Sequence, residues 1–281
     1  MTTDGRAPRV SIIMPVFNAG PFLARALGSV AAQIYRDFEV VMVDDGSTDA
    51  RTLAALEAAA RRPGVTLHRS VNRGPSLARN LAIERARGAY ILPLDADDFL
   101  APAFLARTVP VLDAEPAVGV VYTWVGLVGE HHGVWRTGGF TVAELLSRCT
   151  IHVCSLYRRQ LWVDVGGYDP RFVESCEDWD LWLGAAGSGW QGRGIPEVLA
   201  YYRRSAASRE RAARAPEASA RLMRSLVTKH RALYEAHLED ALAGMYVRLS
   251  AAGLMLERIY HHPAVRALVR LRALLVRPPA P

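Results

Sequence analysis

The chain has 281 residues, about twice the ~150 typical of one compact domain, and its 51% apolar and 22% charged residues exclude intrinsic disorder. We therefore expect one large α/β unit or a catalytic body with an appendage. The net charge of +6 is unevenly distributed along the chain: residues 1–200 hold 19 basic and 22 acidic residues, whereas residues 201–281 hold 15 basic and 6 acidic residues. The mildly acidic body argues against nucleic acid as the main ligand.

Strand-like and helical segments alternate over the first hundred residues. Buried strands are predicted at 10–16, 40–43, 65–69 and 90–94, and the helices between them at 22–32, 48–60 and 76–87. Uninterrupted apolar strands joined by helices predict a parallel sheet covered on both faces. Ligands bind such sheets beyond the carboxyl ends of the strands, so the residues after each strand are the candidates for function.

A less regular stretch follows, from about 116 to 215, and is predicted to hold the acceptor side. Its expected strands lie near 118–128, 151–157 and 198–203. A helix is predicted to begin at Glu177 and Asp178, because acids in the first turn are favoured by the helix dipole.

From about residue 216 the pattern is wholly helical. Seven apolar residues from Leu238 to Ile259 are spaced 4, 3, 4, 3, 4 and 3, which is the a/d seam of a helix that packs on another helix. The last predicted helix, 263–276, carries arginines on one face and leucines on another. Three roles stay open for this extension: packing on the body or in a homodimer through the heptad helix, peripheral contact of the basic last helix with anionic lipid, and binding of a protein partner.

Acidic residues follow two of the predicted strands. Asp95-Ala96-Asp97-Asp98 comes after 90–94, where paired hard oxygens suit Mg²⁺ or Mn²⁺ bridging a diphosphate, although acids there could also simply cap a helix. The pair Asp44-Asp45 comes after 40–43. It could cap the next helix or accept the N3 hydrogen of uracil or thymine. A phosphoacceptor of the receiver type is excluded, because no lysine lies near the last strand of the sheet.

Missing motifs exclude several enzyme classes. Residues 15–20 lack the G-x-G-x-x-G of dinucleotide-dependent dehydrogenases, and the single lysine, Lys229, stands in Thr-Lys-His rather than in a P-loop. A sugar-1-phosphate nucleotidylyltransferase would need a Gly-rich loop with an activating lysine, and a serine nucleophile would need a G-x-S-x-G turn. Cys149, His152 and Cys154 fit no standard zinc spacing, and alternation along a strand explains them more simply.

Six short motifs follow one another in order along the chain. They are VSIIMPVFN at 10–18, VDDGSTD at 43–49, NRG to ARN at 72–80, DADD at 95–98, VGGYD at 165–169 and EDWDLWL at 177–183. Together they resemble the family 2 inverting glycosyltransferases of the GT-A fold. The resemblance implies an α/β nucleotide-sugar-binding fold with a mostly parallel central sheet over a catalytic domain of residues 1–215, with its donor part at about 9–115 and its acceptor part at about 116–215. The helical extension, 216–281, lies outside the resemblance.

The resemblance implies roles for residues of the donor side. Pro15 and Phe17 match the segment that contacts the nucleotide, with Phe17 at the position of an aromatic that stacks on the uracil ring. Asp45 matches a carboxylate that meets the imide of the base. Arg79 matches a recurrent arginine that holds the phosphates or the D-x-D acids. The implied partner is a nucleoside diphosphate sugar, with a UDP-sugar favoured.

The resemblance also implies a metal and a general base. Asp95 and Asp97 match the D-x-D motif, with Asp97 as the direct ligand of Mn²⁺ or Mg²⁺ and Asp95 nearer the ribose or metal-bound water. Asp178 matches the acid that removes the proton from the acceptor hydroxyl. Attack from the face opposite the diphosphate would invert the anomeric carbon.

Two departures from the family pattern narrow the implied activity. No Q-x-x-R-W follows Asp178 and no membrane-spanning segment follows the body, so transfer of a single sugar is favoured over processive synthesis. Segment 201–209 falls where relatives have a loop that closes on the donor. The acceptor would be a glycan, a lipid-linked molecule or a small molecule. The alternative is a non-catalytic scaffold with a degenerate transferase body that acts through its helical tail.

The cysteines and the first residues indicate the compartment. The three cysteines form no C-x-x-C pair, which fits a reducing environment. Residues 1–9 include no apolar signal segment, and the longest nearly uncharged apolar stretch, 118–129, is about half of the ~20 residues of a bilayer span. We expect a cytoplasmic protein, with peripheral contact at the inner membrane face as the role open to its basic last helix.

Overall fold

One mixed sheet runs through the part of the chain that the computed structural model describes, residues 6–173, 175–205, 213 and 215–266. The strands are β1 (Val10–Val16), β2 (Phe38–Asp45), β3 (Val65–Ser70), β4 (Tyr90–Pro93), β5 (Phe99–Leu100), β6 (Val118–Gly129), β7 (Gly133–Trp135), β8 (Leu156–Arg158) and β9 (Gln191–Arg204). The helices are α1 (Gly20–Ala31), α2 (Ala50–Ala60), α3 (Pro75–Arg85), α4 (Phe104–Ala114), α5 (Val142–Ser147), α6 (Arg159–Asp164), α7 (Glu177–Gly187), α8 (Pro216–Lys229), α9 (Arg231–Ala236) and α10 (Leu238–His261).

The first four strands form the predicted parallel sheet, in the order β3-β2-β1-β4. Side chains alternate between two apolar clusters along β1. Ile12 and Met14 pack in one cluster with Leu23 of α1, and Ile13 packs in the other with Ala82 of α3. Because helices cover both faces, β1 and β4 are apolar at nearly every position rather than at every second one, whereas the edge strand β3 carries four polar residues.

The rest of the sheet is mixed, which the sequence patterns do not predict. The order continues β8-β6-β9-β5, with β7 paired to β6. β8 is antiparallel to both β4 and β6, and β9 is parallel to β6.

The predicted strand at 151–157 is wrong over most of its length, because β8 begins only at Leu156. Local hydrogen bonds hold the residues before it in a turn. The Ser155 hydroxyl donates to the His152 carbonyl at 2.7 Å, and the Cys154 N–H donates to Nδ1 of His152 at 3.2 Å. Such side-chain bonds compete with strand pairing.

The helical extension docks on α7 of the body. Nζ of Lys229 lies 2.6 Å from Asp180 and 3.0 Å from Asp169, and Nε2 of His230 lies 2.8 Å from Asp180. Tyr234 of α9 is buried in the same apolar cluster as α3 and α7. The extension thus shares a core with the body, and the domain boundary at 215/216 stays a prediction.

The predicted heptad helix corresponds to α10, but most of its seam is exposed. Ala241 is buried, and a Cβ built on Gly244 would lie 3.0 Å from Cβ of Ser147 in α5. Arg248 donates to the Ser147 carbonyl. Beyond that point Leu249, like the later apolar residues of the helix, is exposed.

The predicted last helix lies mostly outside the described residues. Of 263–276, residues 263–266 are described and helical. Within the described ranges, no helix combines the length and the apolar character needed to cross a bilayer.

Candidate active site

The segments that follow β1, β2 and β4 meet the first turn of α7 around one cavity of about 680 Å³. All the site residues predicted from the sequence line this cavity: Pro15, Phe17, Asp45, Arg79, Asp95, Asp97 and Asp178. The structure therefore brings together residues that lie up to 163 positions apart in the chain. Sequence motifs had suggested their roles one at a time; a shared cavity allows them to act on one ligand.

A single asparagine ties together the loops that follow β1 and β2. Asn18 has φ of 48°, in the left-handed region that asparagine tolerates better than most residues. Its Oδ1 accepts the N–H groups of Thr48 at 2.9 Å and Asp49 at 3.0 Å. The neighbouring Phe17 ring is left 50% exposed at the cavity. A ring held in that position is available to stack on a planar ligand.

Asp45 is a structural residue as well as a cavity residue. Its buried carboxylate accepts the N–H of Arg73 at 2.9 Å, the N–H of Gly74 at 2.8 Å and the Ser70 hydroxyl at 3.1 Å. Gly74 has φ of 88°, which glycine adopts at little cost. Asp45 thus fixes the loop that starts α3, whereas Asp49 caps α2 through the Thr52 N–H. A carboxylate offers about four acceptor positions, so about one remains for a ligand.

Arg79 is a buried link between the two halves of the cavity. Its side chain is 1% exposed, with Nη2 donating to Oδ1 of Asp95 at 2.6 Å and Nη1 donating to Oε1 of Glu177 at 2.8 Å. Burial alone would lower the pKa of Arg79, but the charges of Asp95 and Glu177 raise it well above its usual value. The guanidinium is therefore a permanent cation that holds the loop after β4 against α7.

The three acids after β4 differ in exposure. Asp95 and Asp97 are partly exposed at the cavity, whereas Asp98 is buried and accepts the Arg203 N–H at 2.9 Å. Burial, followed by the charges of Asp97 and Asp95, raises the pKa of Asp98 well above its usual value. The partly exposed pair is therefore the part of this cluster that can meet a ligand.

The donor chemistry of Asp95 and Asp97 fits a divalent cation that is completed by a substrate. Among the described residues, no three acidic, histidine or cysteine side chains converge as a full metal cage. Mg²⁺ in phosphate-transferring sites commonly uses one or two carboxylates and takes its other ligands from phosphate and water. Two carboxylates at one cavity wall meet that requirement.

Asp178 lies in the first turn of α7, across the cavity from the acids after β4. Its Oδ1 accepts the Trp179 N–H at 2.8 Å, and the thiol of Cys149 lies 4.0 Å from Oδ2. Burial and then the charge of Glu177 raise the pKa of Asp178 to about 7, against a smaller opposite effect of Arg79. A carboxylate with such a pKa can take up a proton near neutral pH.

The turn that aims this helix is strained. Cys176, immediately before α7, has φ of 73°, in the left-handed region that residues with a Cβ rarely adopt. Such conformations cluster where a side chain must be held in an unfavoured direction. Here the strained residue directly precedes Glu177 and Asp178.

Sequence patterns missed several residues that line the cavity: Trp135, Cys149, His152 and Tyr202. His152 was assigned to a strand, but its ring lies between Trp135 and Tyr202, with centroids 5.9 Å and 4.8 Å away. Its Nδ1 accepts the Cys154 N–H, so Nε2 carries the proton of the neutral ring and lies 3.9 Å from Asp98. The alternation along 151–157 predicted a strand instead, because the local hydrogen bonds that form the turn leave no mark on that pattern.

The chain matches a known family and known proteins. The family model described as Glycosyl transferase family 2 matches residues 11–164. The PGL/p-HBAD biosynthesis glycosyltransferase of Mycobacterium tuberculosis is 36% identical over 180 residues, which are 62% of this chain and 68% of that protein. An uncharacterized protein of Sinorhizobium fredii, y4gI, is 43% identical over 119 residues, which are 41% of this chain but span only 13% of that protein's length.

Solved structures share the fold. TarS of S. aureus in complex with UDP superposes with a TM-score of 0.67 at 23% identity, covering 91% of this chain and 72% of that one. The mannosyltransferase PcManGT of Pyrobaculum calidifontis, in complex with GDP-Man and Mn²⁺, has a TM-score of 0.60 at 23% identity, covering 96% and 85%. These likenesses confirm the predicted α/β fold of the GT-A type, followed by helices.

Proposed function

This chain belongs to glycosyl transferase family 2, and from that premise we propose that it moves a single sugar from a nucleoside diphosphate sugar to a hydroxyl group, with inversion at the anomeric carbon. One observation carries the proposal. A carboxylate with a pKa of about 7, Asp178, lies in the same cavity as the paired carboxylates Asp95 and Asp97. The first suits removal of a proton, and the carboxylate pair suits a divalent cation, which would neutralise charge on a departing diphosphate.

The donor is proposed to bind between Phe17 and Asp45. The exposed Phe17 ring would stack on the base, and the remaining acceptor position of Asp45 would meet an imide N–H. Pro15, at the end of β1, would complete this wall. An imide favours a UDP-sugar, and the complex of the neighbour TarS with UDP supports that preference. PcManGT was solved with GDP-Man, so other bases occur on the same fold.

On the diphosphate side, Asp97 would bind Mn²⁺ or Mg²⁺ directly, and Asp95 would assist it. The cation, when bound, would neutralise charge that develops on the departing diphosphate. The Mn²⁺ in the PcManGT complex supports this use of a divalent ion. Because both Nη atoms of Arg79 are bonded to carboxylates, its contacts support the positioning of Asp95 rather than direct binding of phosphate.

Asp178 is proposed as the general base. It would take the proton of the acceptor hydroxyl as the oxygen attacks the anomeric carbon from the face opposite the diphosphate. An α-linked donor would then give a β-linked product. The carboxylate must be ionised for this step, so the reaction requires a pH near or above the pKa of about 7.

The acceptor is proposed to be a glycan, a lipid-linked molecule or a small molecule. The protein itself is proposed to act in the cytoplasm. The acceptor would approach past Cys149 and Trp179, which line the cavity beside Asp178. The mycobacterial relative is named as a glycosyltransferase of PGL/p-HBAD biosynthesis, which supports sugar transfer as the reaction. Transfer of one sugar, rather than processive synthesis, agrees with the missing Q-x-x-R-W motif.

The test compares two variants against a panel of nucleotide sugars. Thermal shift with and without Mn²⁺ identifies the donor as the compound whose stabilisation requires the metal. Asp178→Asn should then abolish transfer while it retains donor binding, and Asp97→Ala should lose the metal-dependent stabilisation. An Asp178→Asn protein that still transfers sugar would refute the base. Unimpaired biological activity of the Asp97→Ala, Asp178→Asn double variant would instead support the scaffold alternative.

A further inference from the structure

The exposed half of α10 carries an apolar surface that the proposed reaction does not use. Its side chains, from 46% to 73% exposed, occupy one side of the helix, and we call this set the distal face: Tyr246, Leu249, Met255, Leu256, Ile259 and Tyr260. Residues 249–256 include no charged side chain. Six large apolar side chains exposed on one side of a helix form an apolar patch of the kind that marks an interaction site.

The helix is held at one end and projects at the other. Its first half packs on α5 at Gly244, and Arg248 donates to the Ser147 carbonyl. Two residues after α5 the chain reaches Cys149, whose thiol lies 4.0 Å from Asp178. The helix is therefore anchored directly behind the wall of the cavity where the acceptor is proposed to enter.

Charge changes sign along the helix. Glu239 and Asp240 lie in its first turn, and Glu257 is the last acidic residue of the sequence. Residues 258–281 contain five arginines and no acid. Two of these arginines, Arg258 and Arg266, belong to the described chain, and the remaining three fall among residues 267–281, so the chain continues with the same composition. An apolar face followed by arginines is complementary to a surface of lipid tails and phosphate groups.

A second copy of the chain fits the distal face less well. In a heptad pair, charged residues beside the seam normally select the partner. The residues beside the seam in the exposed half are Tyr246, Gly253 and Tyr260 on one side and Arg248 and Met255 on the other, so no opposite charges are available.

We propose that the distal face binds the surface of an anionic lipid bilayer, with its apolar side chains at the boundary between head groups and acyl chains and Arg258 and Arg266 on lipid phosphates. The helix lies on the membrane and does not cross it. A further step rests on the proposed function. Because the anchored end of the helix adjoins the side of the cavity where the acceptor would enter, the acceptor is a molecule carried by the bilayer.

The test is flotation of the full chain with vesicles, which requires no sugar transfer. The vesicles are phosphatidylcholine alone or phosphatidylcholine with about 30% phosphatidylglycerol. We expect binding to the anionic vesicles that weakens as salt rises. The double variant Leu249→Glu, Leu256→Glu should reduce this binding at least about tenfold, because it places two charges in the distal face.

The same helix supplies a matched control. Val247 and Leu254 are 65% and 59% exposed but lie on the opposite side, so Val247→Glu, Leu254→Glu adds the same charge and should leave binding unchanged. The melting temperature of each variant, measured without ligand, verifies its fold. Absence of vesicle binding, or equal loss in both double variants, overturns the proposal.

Light scattering tests the other possible occupant of the distal face, a second copy of the chain. A dimer in solution that Leu249→Glu, Leu256→Glu converts to a monomer, without vesicle binding by the parent protein, assigns the distal face to a second copy and overturns the lipid proposal. Vesicle binding by a protein that transfers no sugar would support the lipid surface while it refutes the proposed reaction. The two proposals therefore fail in distinguishable ways.

Discussion

Arg79 and Glu177 are 98 residues apart in sequence, yet Nη1 of the arginine donates to Oε1 of the glutamate at 2.8 Å. The other terminal nitrogen of Arg79 holds Asp95. One buried cation therefore joins the loop that is proposed to hold the metal to the helix that carries the proposed base. This side chain therefore helps to set the relative position of these two groups.

Replacing that side chain should affect both stability and transfer. Arg79→Met leaves Asp95 and Glu177 without their shared partner, and breaking a buried ion pair typically costs ~3–5 kcal/mol. We expect a clear fall in melting temperature and at least about a hundredfold loss of transfer. Arg85→Met, on the exposed side of the same helix, is the control and should change neither quantity. An Arg79→Met protein with near-normal transfer would contradict the positioning role.

The pKa of Asp178 predicts the pH dependence of transfer. Because the carboxylate must be ionised to act as a base, the rate should rise with pH and level off above about 7. Removing the positive charge of Arg79 should raise the pKa of Asp178 further and move this rise to higher pH. Rates across pH 5 to 9 at saturating donor measure both effects. A flat profile would argue against Asp178 as the base.

The same pKa predicts that Asp178 destabilises the folded protein when ionised. A carboxyl group whose pKa is raised by folding favours the fold while it is protonated, and this contribution is lost as the pH rises from about 4 to above 7. Asp178→Asn should therefore be more stable than the parent at pH 8, by on the order of a few kcal/mol. The difference should shrink toward pH 4. Denaturant unfolding at both values tests it, and equal stability at pH 8 would contradict the raised pKa.

The parallel half of the fold and the clustering of its acids were accessible from sequence for one physical reason. Strands covered on both faces are mostly apolar, so their carboxyl ends are marked by acidic pairs and runs such as Asp44-Asp45 and the acids that begin at Asp95. Parallel strands end at the same edge, so these residues were expected to meet. The observed cavity agrees with that expectation.

The remaining site residues were not accessible because their placement depends on long-range packing. His152 lies in a turn that hydrogen bonds of its own neighbours form, and the alternating pattern of these residues predicted a strand instead. Arg79 and Glu177 are 98 residues apart in the sequence, and the residues around each of them give no indication that the two side chains pair. The antiparallel position of β8 likewise depends on its two neighbours in the sheet.

Phe17 gives a prediction for donor affinity that is independent of the metal. If the ring stacks on the base, Phe17→Ala should weaken binding of free UDP by roughly tenfold, since stacking of one base contributes ~1–3 kcal/mol. Phe17→Trp should retain most of the affinity. Calorimetry with UDP, in the presence and absence of Mn²⁺, separates this loss from that of Asp97→Ala. Unchanged affinity of Phe17→Ala would remove the ring from the donor site.

Asp180 gives a prediction for the attachment of the helical extension. Its carboxylate is buried between Lys229 and His230, so Asp180→Asn should destabilise the protein by ~2–3 kcal/mol. Glu235→Gln is the control, because Glu235 forms an exposed pair with Arg231 that contributes little. Limited proteolysis should cut between the body and α8 faster in the first variant. Equal cleavage of both variants would mean that other contacts hold the extension.

The ion pairs of Lys229 help to hold the helical extension on the body, and they have a consequence for amine-modifying reagents in solution. Because the sequence contains one lysine, reagents that acylate amines have one side-chain target besides the amino terminus. That amine is engaged by two carboxylates while the helices are seated, and it becomes an ordinary nucleophile when they detach. The acylation rate of Nζ of Lys229 therefore measures how often the helices detach from the body.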